Sequence, residues 1–259
     1  MMGYHYMMYG LCRFGDNNMN CELCTHTTDK KYQITTSSDR LPSLSIDEAT
    51  IPHSNTLGGR IWKTKTIYWK RESSYHWIDD KTMDRMISAA FLESSMQTPL
   101  KIEQRNRKMS DAHIVINWLG KKDEPYFTSP STLAFGYGPG SGMGGNVTMN
   151  ADNLWLLRKT PLLAPEAKVL GYIENYSNAS NEIRYYDPLH TMKHEGGGHA
   201  LGLKHIETLS EAKTAIMYPF YNGLRKFGQA DVNYITSLYG KASVSEIIKK
   251  SIIAKIQGF

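Results

Sequence analysis

Residues 187–221, DPLHTMKHEGGGHALGLKHIETLSEAKTAIMYPFY, hold four of the chain's nine histidines and decide how it is read. Asp187 followed by Pro188 is a good N-cap and first-turn pair, so a helix is expected to begin there. His194, Glu195 and His199 fall inside that helix, and Gly202 is placed to end it in a left-handed turn. Such a reversal carries the chain back and lets His205 approach the other two histidines. Three neutral imidazoles suit zinc, which takes imidazole nitrogen at about 2.0–2.1 Å and in catalytic sites keeps a fourth position for water. Glu195, directly after the first of these histidines, is then the candidate general base. Zinc lowers the pKa of a water toward ~7 and polarises a carbonyl, and a neighbouring carboxylate takes the proton. The chemistry that these residue types point to is amide hydrolysis.

The spacing sets a geometric problem. His194-Glu195-Gly196-Gly197-Gly198-His199 puts the first two histidines five residues apart. At about 100° per residue this is about 140° around an ideal helix, too far to share one metal. A π-bulge absorbs one surplus residue and brings the two rings back toward one face. Three helical glycines cost about 3 kcal/mol relative to alanine, so a local demand keeps them there. His190, four residues before His194, shares a face with it in a regular helix and is the alternative ligand, but no Glu follows it.

His199-x-x-Gly202-x-x-His205, with the upstream His194-Glu195 and the downstream Ala215-Ile216-Met217-Tyr218-Pro219, resembles the zinc-binding helix and Met-turn of the metzincin metalloproteases, and specifically of the matrixins. Other segments agree in order: residues 60–70 resemble the first strand of that family, 111–117 a following strand, 132–155 the strand and glycine loop before the active-site helix, and 229–240 the closing helix. The similarity covers residues 59–240. It implies an α+β fold, a twisted mixed β-sheet carrying a zinc-binding active-site helix and a C-terminal helix. It also implies a zinc-dependent endopeptidase in which His194, His199 and His205 bind Zn2+, Glu195 is the general base, and Met217 sits beneath the metal without binding it. By the same resemblance Pro219 and Tyr221 belong to the wall of the primed-side pocket. Leu133 and Ala134 lie on a strand that pairs with an extended peptide substrate. The family points outside the cell, although MMGYHYMMYG at the start lacks the basic and apolar regions of a signal peptide.

Two departures from the family pattern matter. Matrixins space the first two ligands four apart, as His-Glu-x-x-His, so this chain carries one extra residue. An added glycine that spoils the geometry would leave a non-catalytic zinc-binding interaction protein on the same fold, and this is the second functional expectation. Matrixins also hold a second zinc and calcium through His and Asp around the glycine loop, where the matching positions here are Phe135, Asn146, Thr148 and Asn150. These residues argue against a structural zinc but leave Ca2+ open, because amide and carbonyl oxygens bind it weakly.

Outward from this core the patterns are those of a mixed layer structure. Residues 61–69 read as a strand, and Asp79 and Asp80 can cap a helix with the apolar face Met83, Met86, Ile87, Ala90 and Phe91. Residues 100–103, 112–118, 133–137 and 146–150 read as further strands, with 112–118 apolar enough for an internal position. Gly140-x-Gly142-x-x-Gly145 matches a nucleotide-binding loop literally, but no helix follows it, so ATP binding is not expected.

Residues 1–58 read as an extension, a pro-segment by the resemblance, closing at Gly58-Gly59. They contain Cys12, Cys21 and Cys24, which form either a small zinc or redox site or free thiols, and the family's latency motif is absent. Residues 241–259 read as a basic amphipathic helix whose stripe, Val244, Ile248, Ile252 and Ile256, is expected to dock on the domain rather than on a membrane or partner. The 30 Lys and Arg against 25 Asp and Glu are spread along the chain, which gives no footprint for nucleic acid. No apolar run approaches the ~20 residues of a membrane span. The expected partner is a protein or peptide substrate.

Overall fold

The computed structural model describes residues 60–127, 132–157, 186–208 and 213–256. The expectations for residues 1–58 and their three cysteines lie outside these. Among the described residues the elements are β1 (Thr66–Arg71), α1 (Asp80–Gln97), β2 (Lys101–Gln104), β3 (Ile114–Leu119), β4 (Ala134–Gly136), β5 (Asn146–Asn150), α2 (Pro188–Glu195), α3 (Gln229–Tyr239) and α4 (Val244–Ile256). The strands form one sheet in the order β2-β1-β3-β5-β4. All neighbours are parallel except β4, which runs antiparallel to β5. This is the mixed α+β arrangement expected from the sequence.

β3, the strand with the most apolar centre, takes the central position. Burial alternates along β1 and β3, so Ile67 and Trp69 of the one and Ile114, Ile116 and Trp118 of the other enter the core. β1 begins later than the apolar pattern suggested, because its ladder to β2 starts only at Thr66. The residues before it have another role: the backbone N–H of Trp62 donates to the Tyr239 hydroxyl, and its indole N–H to the Ala200 carbonyl.

α1 packs on this sheet through the face read from its sequence. Met83, Met86, Ile87, Ala90 and Phe91 are all buried. Burying each of the larger ones contributes about 1.5–3 kcal/mol. Asp79 caps the helix, its carboxylate accepting from Thr82 N at 2.9 Å. At the other end Thr98 turns its hydroxyl back onto the Ser94 carbonyl.

α4 docks on the C-terminal end of α1, but not by the expected stripe. Lys250 Nζ donates to the carbonyls of Ser95 and Thr98 at 2.7 and 2.6 Å, Ala242 N donates to Gln97 O, and Ala254 is buried. Val244, Ile248 and Ile252 face solvent. The carbonyls that end α1 need donors, and a lysine meets that need where an isoleucine could not.

Candidate metal centre

α2 starts where the Asp-Pro pair placed it. Asp187 accepts from Leu189 N at 3.0 Å, and Pro188 occupies the first turn. The cap is itself held, because Asp187 N donates to the Tyr221 hydroxyl at 2.9 Å and Arg225 pairs with the Asp187 carboxylate. Burial raises that carboxyl above its ordinary value, against the opposing pull of Arg225.

The helix does not run on to Gly202 as expected; it stops at Glu195. Gly196 N and Gly197 N both donate to Met192 O, at 2.8 and 3.1 Å, and the second of these spans five residues. That is the wide, π-type turn which takes up one extra residue. The chain then passes through Gly198 (φ −108°, ψ −83°) into a single 3-10 turn, His199–Leu201. Gly202 ends this turn in the left-handed region at φ 93°, as its position in the sequence suggested. Glycine permits the break because it carries no Cβ.

Breaking a helix orphans carbonyls, and distant side chains satisfy them here. Ser94 Oγ of α1 donates to Gly197 O at 3.0 Å, Trp62 Nε1 to Ala200 O at 2.8 Å, and Tyr239 of α3 to Leu201 O at 2.8 Å. Burial pushes the Tyr239 phenol up to about 12, so it remains a donor.

This route brings three imidazoles together. His205 Nε2 lies 3.2 Å from Nε2 of His194 and 3.2 Å from Nε2 of His199. One ligand atom from each of the three lies within 4.8 Å of the others. His194 Nδ1 is 2.7 Å from Ile216 O, and His199 Nδ1 is 2.8 Å from Leu203 O. A carbonyl only accepts, so each Nδ1 carries the hydrogen and each Nε2 presents its lone pair to the common point. Tetrahedral zinc with bonds of about 2.0–2.1 Å needs nitrogens about 3.3–3.4 Å apart, so the donor set fits that ion. Among the described residues this is the one cluster of three or more His, Cys, Asp or Glu donors. His190 is not in it: its Nδ1 donates to Leu224 O at 2.6 Å and its ring packs edge-on against Tyr221.

Glu195 is fully buried next to the cluster. β4 passes against it, and a Cβ on Gly136 would lie 2.9 Å from Glu195 Oε2 and 3.3 Å from His199 Cβ. Only glycine lets the strand approach so closely. Met217 is also buried, and its carbonyl accepts from Ile206 N at 2.8 Å, which ties the Met-turn to the residue after His205. Asp231 of α3 holds the same turn from below, accepting from Ile216 N, Met217 N and Gly228 N at 2.7, 3.0 and 2.8 Å.

The remaining sequence candidates are spread around this centre. Leu133 and Ala134 are buried, with Ala134 opening β4 at one edge of the sheet. Pro219 is half-buried, and Tyr221 is buried with its hydroxyl engaged at the α2 cap. Around the glycine loop, Phe135 packs with Phe127 and Tyr137, and both ends of the Asn150 amide are taken up by Thr132 O and Asp152 N. Ser94, Trp62, Gly136, Asp231 and Tyr239 are not among the site residues expected from the sequence, although all but Ser94 lie in the segments 60–70, 132–155 and 229–240 that resemble the family.

The matrixin family model matches residues 61–240. Human matrilysin is 29% identical over 191 residues, which cover 71% of this chain and 60% of that protein. Matrix metalloproteinase-18 of Xenopus laevis is 26% identical over 196 residues, 74% of this chain and 36% of that one. The probable matrix metalloproteinase 095L of Invertebrate iridescent virus 3 is 26% identical over 193 residues, 71% and 46% respectively. The chain thus spans 36% to 60% of the length of these relatives. Because the match runs through the sheet, the three-histidine cluster and the helix that closes the domain, the chain belongs to the matrixin family and has its zinc metalloprotease fold.

Proposed function

We propose that the chain is a zinc-dependent endopeptidase acting on protein or peptide substrates, with His194, His199 and His205 as the metal ligands and Glu195 as general base. The observation that carries this reading is the 3.2 Å approach of His205 Nε2 to both other histidines, reached in spite of the extra glycine. Bound there, zinc supplies Lewis acidity toward a water and the scissile carbonyl.

The chain's own residues do the rest. Glu195 takes a proton from the attacking water on its carboxylate and returns it to the departing amine nitrogen. Its full burial strengthens every charge interaction it makes. The edge strand at Leu133 and Ala134 offers backbone to an extended peptide. Pro219 contributes the pocket wall, and Tyr221 braces that wall from inside by holding the α2 cap. Met217 supports the ligands by packing alone.

A zinc-binding interaction protein without turnover is the second reading, and the interruption of the helix between Glu195 and His199 is what favours it. One experiment separates the two. Zinc-loaded protein is given a pool of quenched fluorescent peptides, with Glu195→Gln as the comparison and metal content measured for both. Loss of a general base predicts a fall of about 10²–10⁴-fold in cleavage with zinc content unchanged. Absence of cleavage by zinc-replete wild type, or equal cleavage by both proteins, assigns the chain to the second reading.

A further inference from the structure

α4 uses one side to dock on α1 and leaves the other uncovered. The docked side is made by Lys250 and Ala254. On the open side Val244 is 73% exposed, Ile248 55% and Ile252 54%. Helical spacing puts Val244, Ile248 and Ile252 within about 80° of one another, so they form one ridge along the helix. Lys249 and Lys255 lie beside and within this ridge, and Lys241 precedes the helix; all three are exposed. The one carboxylate of α4, Glu246, is engaged by the backbone N–H and hydroxyl of Ser243.

An apolar ridge whose neighbouring charges are lysines, with Ser245 and Ser251 as uncharged neighbours, is complementary to one kind of surface. The acyl boundary of a bilayer accepts the isoleucines, and anionic headgroups meet the ammonium ends, which reach outward on their flexible stems. Thirteen residues span about 20 Å as a helix, too short to cross the hydrocarbon core. No described helix is long and apolar enough to cross a membrane. An in-plane position is the one that buries the ridge and leaves the docked side on α1.

We propose that α4 is a peripheral binding element for anionic lipid bilayers, with Val244, Ile248 and Ile252 entering the interface and Lys241, Lys249 and Lys255 pairing with headgroups. It acts independently of the metal centre and of turnover there. The test is sedimentation of the full chain with vesicles of phosphatidylcholine, with or without phosphatidylserine. The full chain pellets with the anionic vesicles, and added salt weakens that binding. Lys249→Gln and Lys255→Gln each weaken it about fivefold. Ile248→Ser combined with Ile252→Ser weakens it about tenfold or more. Because these side chains are exposed, melting temperatures are unchanged, and the lysine variants decide the matter if the isoleucine pair loses its fold. Equal binding to neutral and anionic vesicles, or no loss in the variants, overturns the proposal. So does a concentration-dependent dimer that the isoleucine pair dissolves, which would give the ridge to a second copy of the chain.

Discussion

Gly198 lies so close to Met217 that a Cβ there would overlap both the methionine sulfur and the His194 carbonyl. The last of the three glycines is therefore seated directly on the Met-turn, and of the three it has the least room. Gly196 is less constrained: the nearest atom to an added Cβ is Met192 O at 3.0 Å, and its backbone is right-handed helical. Gly198→Ala is expected to destabilise the fold by about 1–3 kcal/mol and to weaken zinc binding by about 10–100-fold, as displaced supports of ligands do. Gly196→Ala costs less on both counts. Chelator competition and thermal melting measure the two variants, and equal losses would show that Met217 is not what requires glycine.

Asp231 is the anchor beneath the same turn. Its carboxylate accepts three backbone N–H groups, and burial nevertheless raises its pKa. Asparagine keeps one acceptor oxygen and sets its amide NH2, itself a donor, against backbone N–H donors. Asp231→Asn is expected to cost about 2–4 kcal/mol in urea unfolding, and zinc should leave the protein faster because Ile216 O orients His194. A variant that unfolds and releases zinc like wild type would remove Asp231 from this role.

Lys193, next to the proposed ligand His194, is buried with its ammonium on Glu93 and on the Arg225 carbonyl, while Glu93 also accepts from Phe227 N at 2.6 Å. These contacts pin residues 225–227 to α2 and α1. Lys193→Met leaves the Glu93 carboxylate without its cation, at a cost of about 2–3 kcal/mol; this is below the fully buried range because Glu93 keeps some contact with water. Adding Glu93→Gln removes the uncompensated charge and keeps the acceptor for Phe227. The double variant is therefore expected to be more stable than Lys193→Met alone, and a double-mutant cycle by urea titration measures the coupling.

Acid should destabilise the fold partly through His190. Burial lowers its pKa from 6.5 to about 4, and its Nε2 has no hydrogen-bond partner among the described residues. The unfolded chain takes up this proton first as pH falls, so the contribution is fully present above about 6.5 and is lost on the way down to about 4. The span corresponds to about 3 kcal/mol. Asp187 and Asp231, both raised by burial, act in the opposite sense, losing stability as pH rises through their folded values. Both are retained in His190→Gln, so the comparison isolates the histidine. With zinc removed, the urea midpoint of wild type should fall more between pH 7 and pH 4.5 than that of His190→Gln. Parallel profiles would exclude His190 as the source.

Much of the site was legible because its signals are local. Asp187-Pro188 starts a helix wherever it occurs in such a context, Gly202 supplies the left-handed residue that a reversal needs, and the order of His194, His199 and His205 named the cluster before its geometry was known. The continuous apolar centre of residues 112–118 likewise placed β3 inside the sheet. Local pattern was a poor guide where partners are distant. The stripe of α4 satisfied the helical period and was expected to dock on the domain, yet Val244, Ile248 and Ile252 face solvent because the end of α1 needed a cation rather than a hydrocarbon.

The amino-acid sequence by itself determined which three histidines are the candidate ligands, which carboxylate follows the first of them, and that one residue more than the family spacing separates the first two. Only the tertiary structure decided how that residue is accommodated. The helix ends early, a five-residue hydrogen bond closes over Gly196, and the carbonyls it frees are met by Ser94, Trp62 and Tyr239, which lie 103, 138 and 38 residues from their partners in sequence. A broken helix is stable only where its orphaned groups find donors, and no periodicity within residues 187–205 records whether distant segments will supply them.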